Sequence, residues 1–308
     1  MRIDFTYGHG SGNAFPIVDA RGVAADWPLV ARALADRAGP VGSDGLLLLT
    51  EGDADHAFGM RMFNSDGSEA ETCLNGLRLV ARLGFERLGL TSARVKLRTS
   101  EAEVARAPDL APGVFTVRER AGPADLDASA WPLHDARKVI VDAPIAHLSP
   151  TLRFTAVTMP NPHLVAFVGR IDETELVRIG QICESAPAWL PNRANVSFVE
   201  VRDDDLFCRT FERGVGLTDS CGSAMAASTI AAAQTGRVAW DREITVYNRG
   251  GLVRAEADAD RMVTLSGNAT FEWEGSAEIV EGTAHDVRAT RRFDEEIAAW
   301  GAMTRAIG

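Results

Sequence analysis

The 308-residue chain predicts an α/β (α+β) protein of two similar lobes. Three observations point there. "MRMFNSDGSEAETC" carries alternating strand-like residues, a polar turn and then Cys73, and "CRTFERGVGLTDSC" repeats that order and ends at Cys221. Asn64 lies nine residues before the first cysteine and Glu212 nine before the second. Each cysteine then opens a helix-like segment followed by a β-type stretch. A strand–turn–Cys–helix–strand order that recurs once at matched spacing reads as an internal duplication. It predicts two lobes facing each other with a site between them.

Taken in order, the first helix is expected over "NGLRLVARLGFER", where Leu77, Leu79, Val80 and Leu83 fall at helical spacing. Gly89 stands where a terminator belongs, and "ARVKLRT" is the strand that follows. In the second half "GSAMAASTIAAAQ" is the helix, Gly236 its terminator and "EITVYN" the next strand. Its many alanines suit a helix enclosed closely by strands on several sides. The expected organisation is an N-terminal lobe over 1–118 carrying Cys73, a connection over 119–137 rich in Pro, Ala and Asp, and a C-terminal lobe over 138–280 carrying Cys221. A helical extension over 281–308 presents Phe293, Ile297, Trp300 and Ile307 on one face, for docking on its own domain or on a second subunit in a homodimer.

Composition narrows the function. The net charge of −11 argues against a nucleic-acid partner, because phosphate contacts need a basic face. No apolar run is long enough for a transmembrane helix, and the start "MRIDFTYGHG" lacks the features of a secretory signal, so a cytoplasmic protein without membrane contact is expected. Four cysteines in such a chain do not read as a disulfide framework. With no C-x-x-C, no H-E-x-x-H and six scattered histidines, no metal is expected. Lys96 and Lys138 are the only lysines, both in strand-like stretches, and make poor Schiff-base candidates for pyridoxal phosphate; no cofactor is expected.

A helix start offers unpaired N–H groups and partial positive charge. A thiol there is expected to ionise below its ordinary value of about 8.5, and the same N–H groups can hold a carboxylate. Two such starts facing each other would hold a small acid. One thiolate takes a proton from the carbon beside the carboxylate, and the other thiol returns one on the opposite face, inverting the centre without a cofactor. One cysteine alone reads as readily as a small core hydrophobe; a matched pair points to chemistry. Cys183 in "GQICESA" and Cys208 in "LFCRTF" are expected to be core thiols, and His9 in "GHGSGN" a loop residue.

"GSGNAF", "GSDGLLLL", "FNSDGSEAETCLNG", "MPNPH", "RANVSFVEV", "FERGVG" and "SCGSA" occur in the order found in one family. Through them the chain resembles diaminopimelate epimerase, a pyridoxal-independent amino-acid epimerase, over nearly its whole length to about residue 281. The resemblance implies two lobes, each a strand barrel around a central helix, with the active site in the cleft. It implies that Cys73 and Cys221 are the acid/base pair and that His163 and Glu212 set their protonation. It assigns Asn75, Gly76, Gly222 and Ser223 to the carboxylate at the reacting centre, and Asn13, Asn64, Asn161, Asn195 and Arg213 to the far end of the substrate. A guanidinium that can grip a carboxylate bidentately suits that last task. Other readings are open: Asn13, Asn75 and Asn161 as turn residues, Asn64 and Asn195 as structural, Arg213 as an ion-pair partner of Glu212 or Asp219, and His163 as a packed polar group.

The chain departs from the family at four places. Leu74 follows the first cysteine where glycine is usual, Ala14 follows Asn13 where aspartate is usual, Leu217 precedes Thr218 where glutamate is usual, and Pro160 precedes "NPH" in place of glycine. Leu74 is expected to add bulk beside the substrate carboxylate. The expected activity is epimerisation of LL- to meso-diaminopimelate, a step of lysine and peptidoglycan biosynthesis. The alternatives are the same two-thiol chemistry on another amino acid (a histidine- or proline-type racemase), a non-catalytic amino-acid-binding protein, or an isomerase using a single acidic residue, which would not need both thiols.

Overall fold

The computed structural model describes residues 1–308 apart from 71, 131, 132, 134–136, 160 and 308, and apart from the side chains of 130, 306 and 307. The Pro160 departure, part of the 119–137 connection and the Ile307 side chain lie outside the described residues.

In chain order the first elements are β1 (Arg2–Gly10), β2 (Asn13–Asp19), α1 (Trp27–Ala35), β3 (Gly45–Glu51), β4 (Phe58–Asn64), β5 (Glu69–Ala70), α2 (Leu74–Leu88), β6 (Ser92–Lys96), β7 (Glu101–Ala107) and β8 (Thr116–Ala121). Then come β9 (Ala143–Pro144), β10 (Arg153–Thr158), β11 (Pro162–Phe167), α3 (Glu173–Glu184), β12 (Asn195–Arg202), β13 (Asp205–Glu212) and β14 (Gly216–Thr218). The rest are α4 (Gly222–Gln234), β15 (Ile244–Asn248), β16 (Gly251–Ala257), β17 (Val263–Asn268), β18 (Thr270–Val280), β19 (Thr283–Arg292) and α5 (Asp294–Ile307). Among the described residues no helix is long and apolar enough to cross a membrane.

Two compact units emerge, Met1–Glu119 with Ser266–Gly308, and Arg120–Leu265. Within the first, strands pair in the order β19, β18, β1, β2, β3, β4, β6, β7, with β2 and β3 parallel and β4 and β6 parallel. They surround α2, whose residues from Leu74 to Phe85 are all buried. Its carboxyl end stops at Gly89, whose φ of 67° is the left-handed geometry that glycine adopts at no steric cost. A second core fills the outer side, where Trp27, Val30 and Leu34 of α1 meet Leu46, Leu48 and Phe63.

The second unit repeats the plan. β10 pairs β11, β11 runs parallel to β12, β12 pairs β13, and β13 runs parallel to β15, which pairs β16. α4 is buried from Gly222 to Ala233. Small side chains let strands close around it, while Leu176, Ile179 and Cys183 of α3 form the outer core with Phe198 and Phe211. The duplication is therefore carried in the strand registers: β2–β3 and β11–β12 are parallel pairs leading into antiparallel β3–β4 and β12–β13.

The units divide the chain differently from the expected 138–280 lobe. Residues 266–308 join the N-terminal unit because β18 pairs with β1 from Arg2↔Glu278 to His9↔Thr270, and no local sequence signal marks that long-range pairing. The 281–308 segment is a strand and then a helix: β19 pairs β18, and only α5 is helical. α5 packs on this same unit, with Phe293, the residue before it, edge-on to Phe271 at 5.7 Å and Trp300 of the helix tilted against His9 at 5.1 Å.

Candidate active site

Both conspicuous cysteines are N-caps. Cys73 caps α2 with extended backbone (φ −151°, ψ 102°), and Cys221 caps α4 likewise (φ −136°, ψ 110°). The reason is local: each precedes a helix-forming run.

In the first unit Gly76 N–H donates to Cys73 Sγ at 3.3 Å. A Cβ at Gly76 would stand 2.7 Å from Leu47 and 3.3 Å from that sulfur, so glycine is needed for the close approach. Asn13, the first residue of β2, places its side-chain Oδ1 3.9 Å from Cys73 Sγ. Asn64, the last residue of β4, donates from Nδ2 to Ser68 Oγ at 3.0 Å. Asn75 is 2% exposed, and its Oδ1 accepts from Arg78 Nη2 at 2.8 Å. The Gly76 amide thus faces the sulfur and the Asn75 side-chain carbonyl faces Arg78.

In the second unit a denser cluster gathers around Cys221. Burial pushes this thiol well above its ordinary range, and the neighbouring Glu212 carboxylate adds to the rise by charge and hydrogen bonding. The Ser223 hydroxyl and the Ala224 amide pull the other way and lose. The expected lowering at a helix start is thus reversed at Cys221, because desolvation of a thiolate outweighs the helix terminus. Glu212 Oε1 accepts from Thr218 Oγ1 at 2.7 Å, and Ser223 Oγ lies 3.4 Å from the sulfur. Glu212→Gln is expected to move the pH profile of Cys221 alkylation to lower pH, since a raising charge is removed. An unmoved profile would show that Glu212 does not govern the thiol.

His163 is fully buried, and burial together with the positive charge of Arg213 pulls it down to about 3, so the imidazole is neutral. Its Nε2 lies 2.9 Å from Asn161 Oδ1, 3.1 Å from Ser223 Oγ and 3.4 Å from Asn195 Nδ2. Nδ1 has no hydrogen-bond partner among the described residues. Asn195 pairs with His163 across β11 and β12, and its Oδ1 accepts the Arg213 backbone N–H at 2.9 Å. The Arg213 guanidinium reaches Asn192 O at 3.3 Å, and Asp219 sits against Arg209 instead. The second unit therefore brings together Cys221, Gly222, Ser223, His163, Glu212, Asn161, Asn195 and Arg213. The first brings together Cys73, Asn13, Asn75 and Gly76, with Asn64 held by its own turn.

The shared register gives the two halves a chemical asymmetry. Ile17 faces Leu47 in the first unit and His163 faces Asn195 in the second, so the register position of His163 is filled by Phe15. Gly45 faces Asn64 while Val196 faces Phe211, so the position of Glu212 is filled by Asn64. Both ionisable companions belong to the Cys221 half.

Some sequence expectations need correction or gain a reason. His9 is a strand residue, 6% exposed, pulled down to about 4 by burial and by Arg78. Cys183 and Cys208 are core thiols at 0% and 2% exposure. Leu74 is 4% exposed and has no left-handed φ, so the conformational freedom of glycine is not used there. Two groups went unrecognised in the sequence: Asp44, whose carboxylate takes the Asn13 Nδ2–H at 2.7 Å and the Ala14 N–H at 2.8 Å, and the buried Arg78–Glu119 pair at 2.8 Å. Asp44 lies in the quoted "GSDGLLLL", but no local signal tells that it meets Asn13 or that Arg78 meets Glu119.

The fold is that of a class of two-lobed α/β proteins with strands around central helices. A phenazine biosynthesis protein of the PhzF family from Bacillus anthracis matches with a TM-score of 0.65 at 16% identity, over 91% of this chain and 100% of that one. A hydroxyproline epimerase from Agrobacterium vitis matches with a TM-score of 0.60 at 15% identity, over 100% and 98%. At such identities these likenesses concern fold alone. The family model for diaminopimelate epimerase matches residues 5–108 and 155–272. The diaminopimelate epimerase of Clostridium acetobutylicum is 39% identical over 283 residues (88% of this chain, 84% of that protein), and that of Listeria innocua 35% identical over 300 residues (92% and 91%). The chain belongs to the diaminopimelate epimerase family.

Proposed function

We propose that the chain epimerises LL- and meso-diaminopimelate at Cα by exchanging protons with two thiols, Cys73 and Cys221. The observation that carries this reading is the N-cap thiol of Cys221 gripped by the Glu212 carboxylate, with a second N-cap thiol at the matching place in the repeat. One sulfur, as thiolate, breaks the Cα–H bond and becomes a thiol. The resulting carbanion takes a proton from the other thiol on the opposite face, and that sulfur leaves as thiolate. Cys221, held neutral by burial and by Glu212, starts as the donor. Neutral His163 holds the Ser223 hydroxyl, which lies 3.4 Å from the Cys221 sulfur.

The helix starts supply electrostatic stabilisation. N–H groups at the first turns of α2 and α4 favour the carboxylate and the negative charge that develops beside it. Arg213 and the asparagines Asn13, Asn64, Asn161 and Asn195 suit the far carboxylate and ammonium, which favours diaminopimelate over an amino acid with an apolar side chain. The fully thiol-dependent chemistry fits a reducing cytoplasm.

The test is incubation with LL-diaminopimelate in deuterated water, followed by NMR and chiral chromatography. Deuterium entry at one Cα with formation of the meso isomer is expected. Exchange with monocarboxylate amino acids but none with diaminopimelate would overturn the substrate assignment.

A further inference from the structure

We propose that Asp44 is a positioning residue for Cys73: it spends the N–H of the Asn13 amide and thereby turns the Asn13 carbonyl oxygen toward the sulfur. The geometry is closed on every side. Asp44 Oδ2 accepts from Asn13 Nδ2 at 2.7 Å and from Ala14 N at 2.8 Å, and Asp44 N donates to Ala14 O at 2.9 Å. The three bonds tie the start of β2 to the residue preceding β3. A carboxylate accepts and never donates, so the Asn13 amide cannot turn over without placing two oxygens against each other. Its Oδ1 is left 3.9 Å from Cys73 Sγ.

Asp44 is itself held. Arg37 Nη2 donates to its Oδ1, Ser43 Oγ donates to Gly45 O at 2.8 Å, and Tyr7 hydroxyl donates to Gly42 O at 2.8 Å. Gly42 adopts φ 67° in this loop, and Gly45, at φ 155°, lies so close to Phe63 O that a Cβ would stand 2.3 Å from it. The loop between α1 and β3 is thus a rigid arm that delivers one carboxylate to one amide. The charged and titratable groups facing Asp44 are Arg37 on its own loop and Tyr7 on β1; Glu272 on β18 faces Tyr7.

An oxygen facing Sγ accepts from a thiol and repels a thiolate, whereas an N–H there would do the reverse. Asp44 therefore sets which protonation state of Cys73 its neighbour favours, opposing the Gly76 N–H that donates to the same sulfur. This role stands whether or not diaminopimelate is the substrate, because it is read on the thiol alone.

The experiment measures the iodoacetamide alkylation rate of Cys73 against pH, resolved from the other cysteines by peptide mass spectrometry. The parent, Asp44→Ala, Asn13→Ala and the double variant are compared, with thermal melts of each. In Asp44→Ala the acceptor that holds the Asn13 N–H is gone, so the Asn13 amide is free to turn its N–H toward the sulfur. The midpoint is expected to fall by about one pH unit, a roughly tenfold change in thiolate population at a given pH. Asn13→Ala, which removes the accepting oxygen, moves it in the same direction, and adding Asp44→Ala to Asn13→Ala moves it no further. An equal shift from Asp44→Ala in both backgrounds would mean a through-space charge effect and overturn the proposal, as would an unmoved midpoint in a normally folded Asp44→Ala. If Asp44→Ala does not fold, an unmoved midpoint in Asn13→Ala overturns it instead.

Discussion

Cys221→Ala is expected to lower kcat for epimerisation by about 10³-fold or more, the upper range for removal of a positioned acid or base, while leaving one stereoisomer able to exchange its Cα proton. In the proposed mechanism the two thiols serve opposite faces of one carbon. With Cys221 gone, Cys73 can still remove a proton from the face it serves and return one there. In deuterated water, one epimer of the substrate then gains deuterium with retention, and the other gains none. Cys73→Ala is expected to show the mirror pattern, with the other epimer exchanging. The asymmetry of the half-sites makes the two variants unequal: Cys221 keeps His163 and Glu212 in its own unit, whereas the corresponding register positions beside Cys73 hold Phe15 and Asn64. NMR of each epimer with each variant checks this. Loss of exchange from both epimers in both variants, or exchange of both in either, would mean that the thiols do not divide the two faces.

The local part of this site was legible in the sequence and the long-range part was not. Cysteines that cap helices, glycines that end them and the strand–turn–helix repeat are written in runs of ten or fifteen residues, and Cys73, Cys221, α2 and α4 stand where that pattern predicts. Asp44 reaches Asn13 from 31 positions away, Arg78 reaches Glu119 from 41, and Asn268 meets Ser11 across 257. Each of those contacts depends on which strand lies beside which, and no hydrophobic period encodes that. The state of the Cys221 thiol was misjudged for a related reason. A helix terminus is visible in a sequence, but the depth at which the fold buries it is not, and depth wins here. The return of residues 266–308 to the first unit is the same limitation on a larger scale.

Glu119→Ala is expected to destabilise the protein by about 3–5 kcal/mol, the range for breaking a buried ion pair by removing one partner. Arg78 and Glu119 are both 0% exposed and meet at 2.8 Å. The same guanidinium donates to Asn75 Oδ1 at 2.8 Å, Ser11 Oγ at 3.2 Å and Asn268 O at 3.2 Å, joining the β1–β2 turn, the first turn of α2 and the end of β17. Without the carboxylate that cation is buried with neutral partners alone, so the urea midpoint should fall while the slope of the transition holds; an unchanged midpoint would sink the claim. A pH test separates charge from shape. Burial pushes the Glu119 carboxyl up to about 7 from 4.5, against the pull of Arg78, and its Oε2 has no hydrogen-bond partner among the described residues. Between those values the folded state binds the proton more tightly than the unfolded state. This group's contribution to stability is therefore full below about 4.5 and is lost as pH rises through about 7. Glu119→Gln, which keeps an acceptor for Arg78 but cannot titrate, should flatten the fall in stability across that window. Replacing both partners by apolar residues of similar size, as in Arg78→Met with Glu119→Leu, should restore much of the stability, because neither charge is then stranded. Activity should not return with it: Asn75 and Ser11 would have lost the donor that holds the entrance of α2 against the β1–β2 turn, and with it the placement of Cys73.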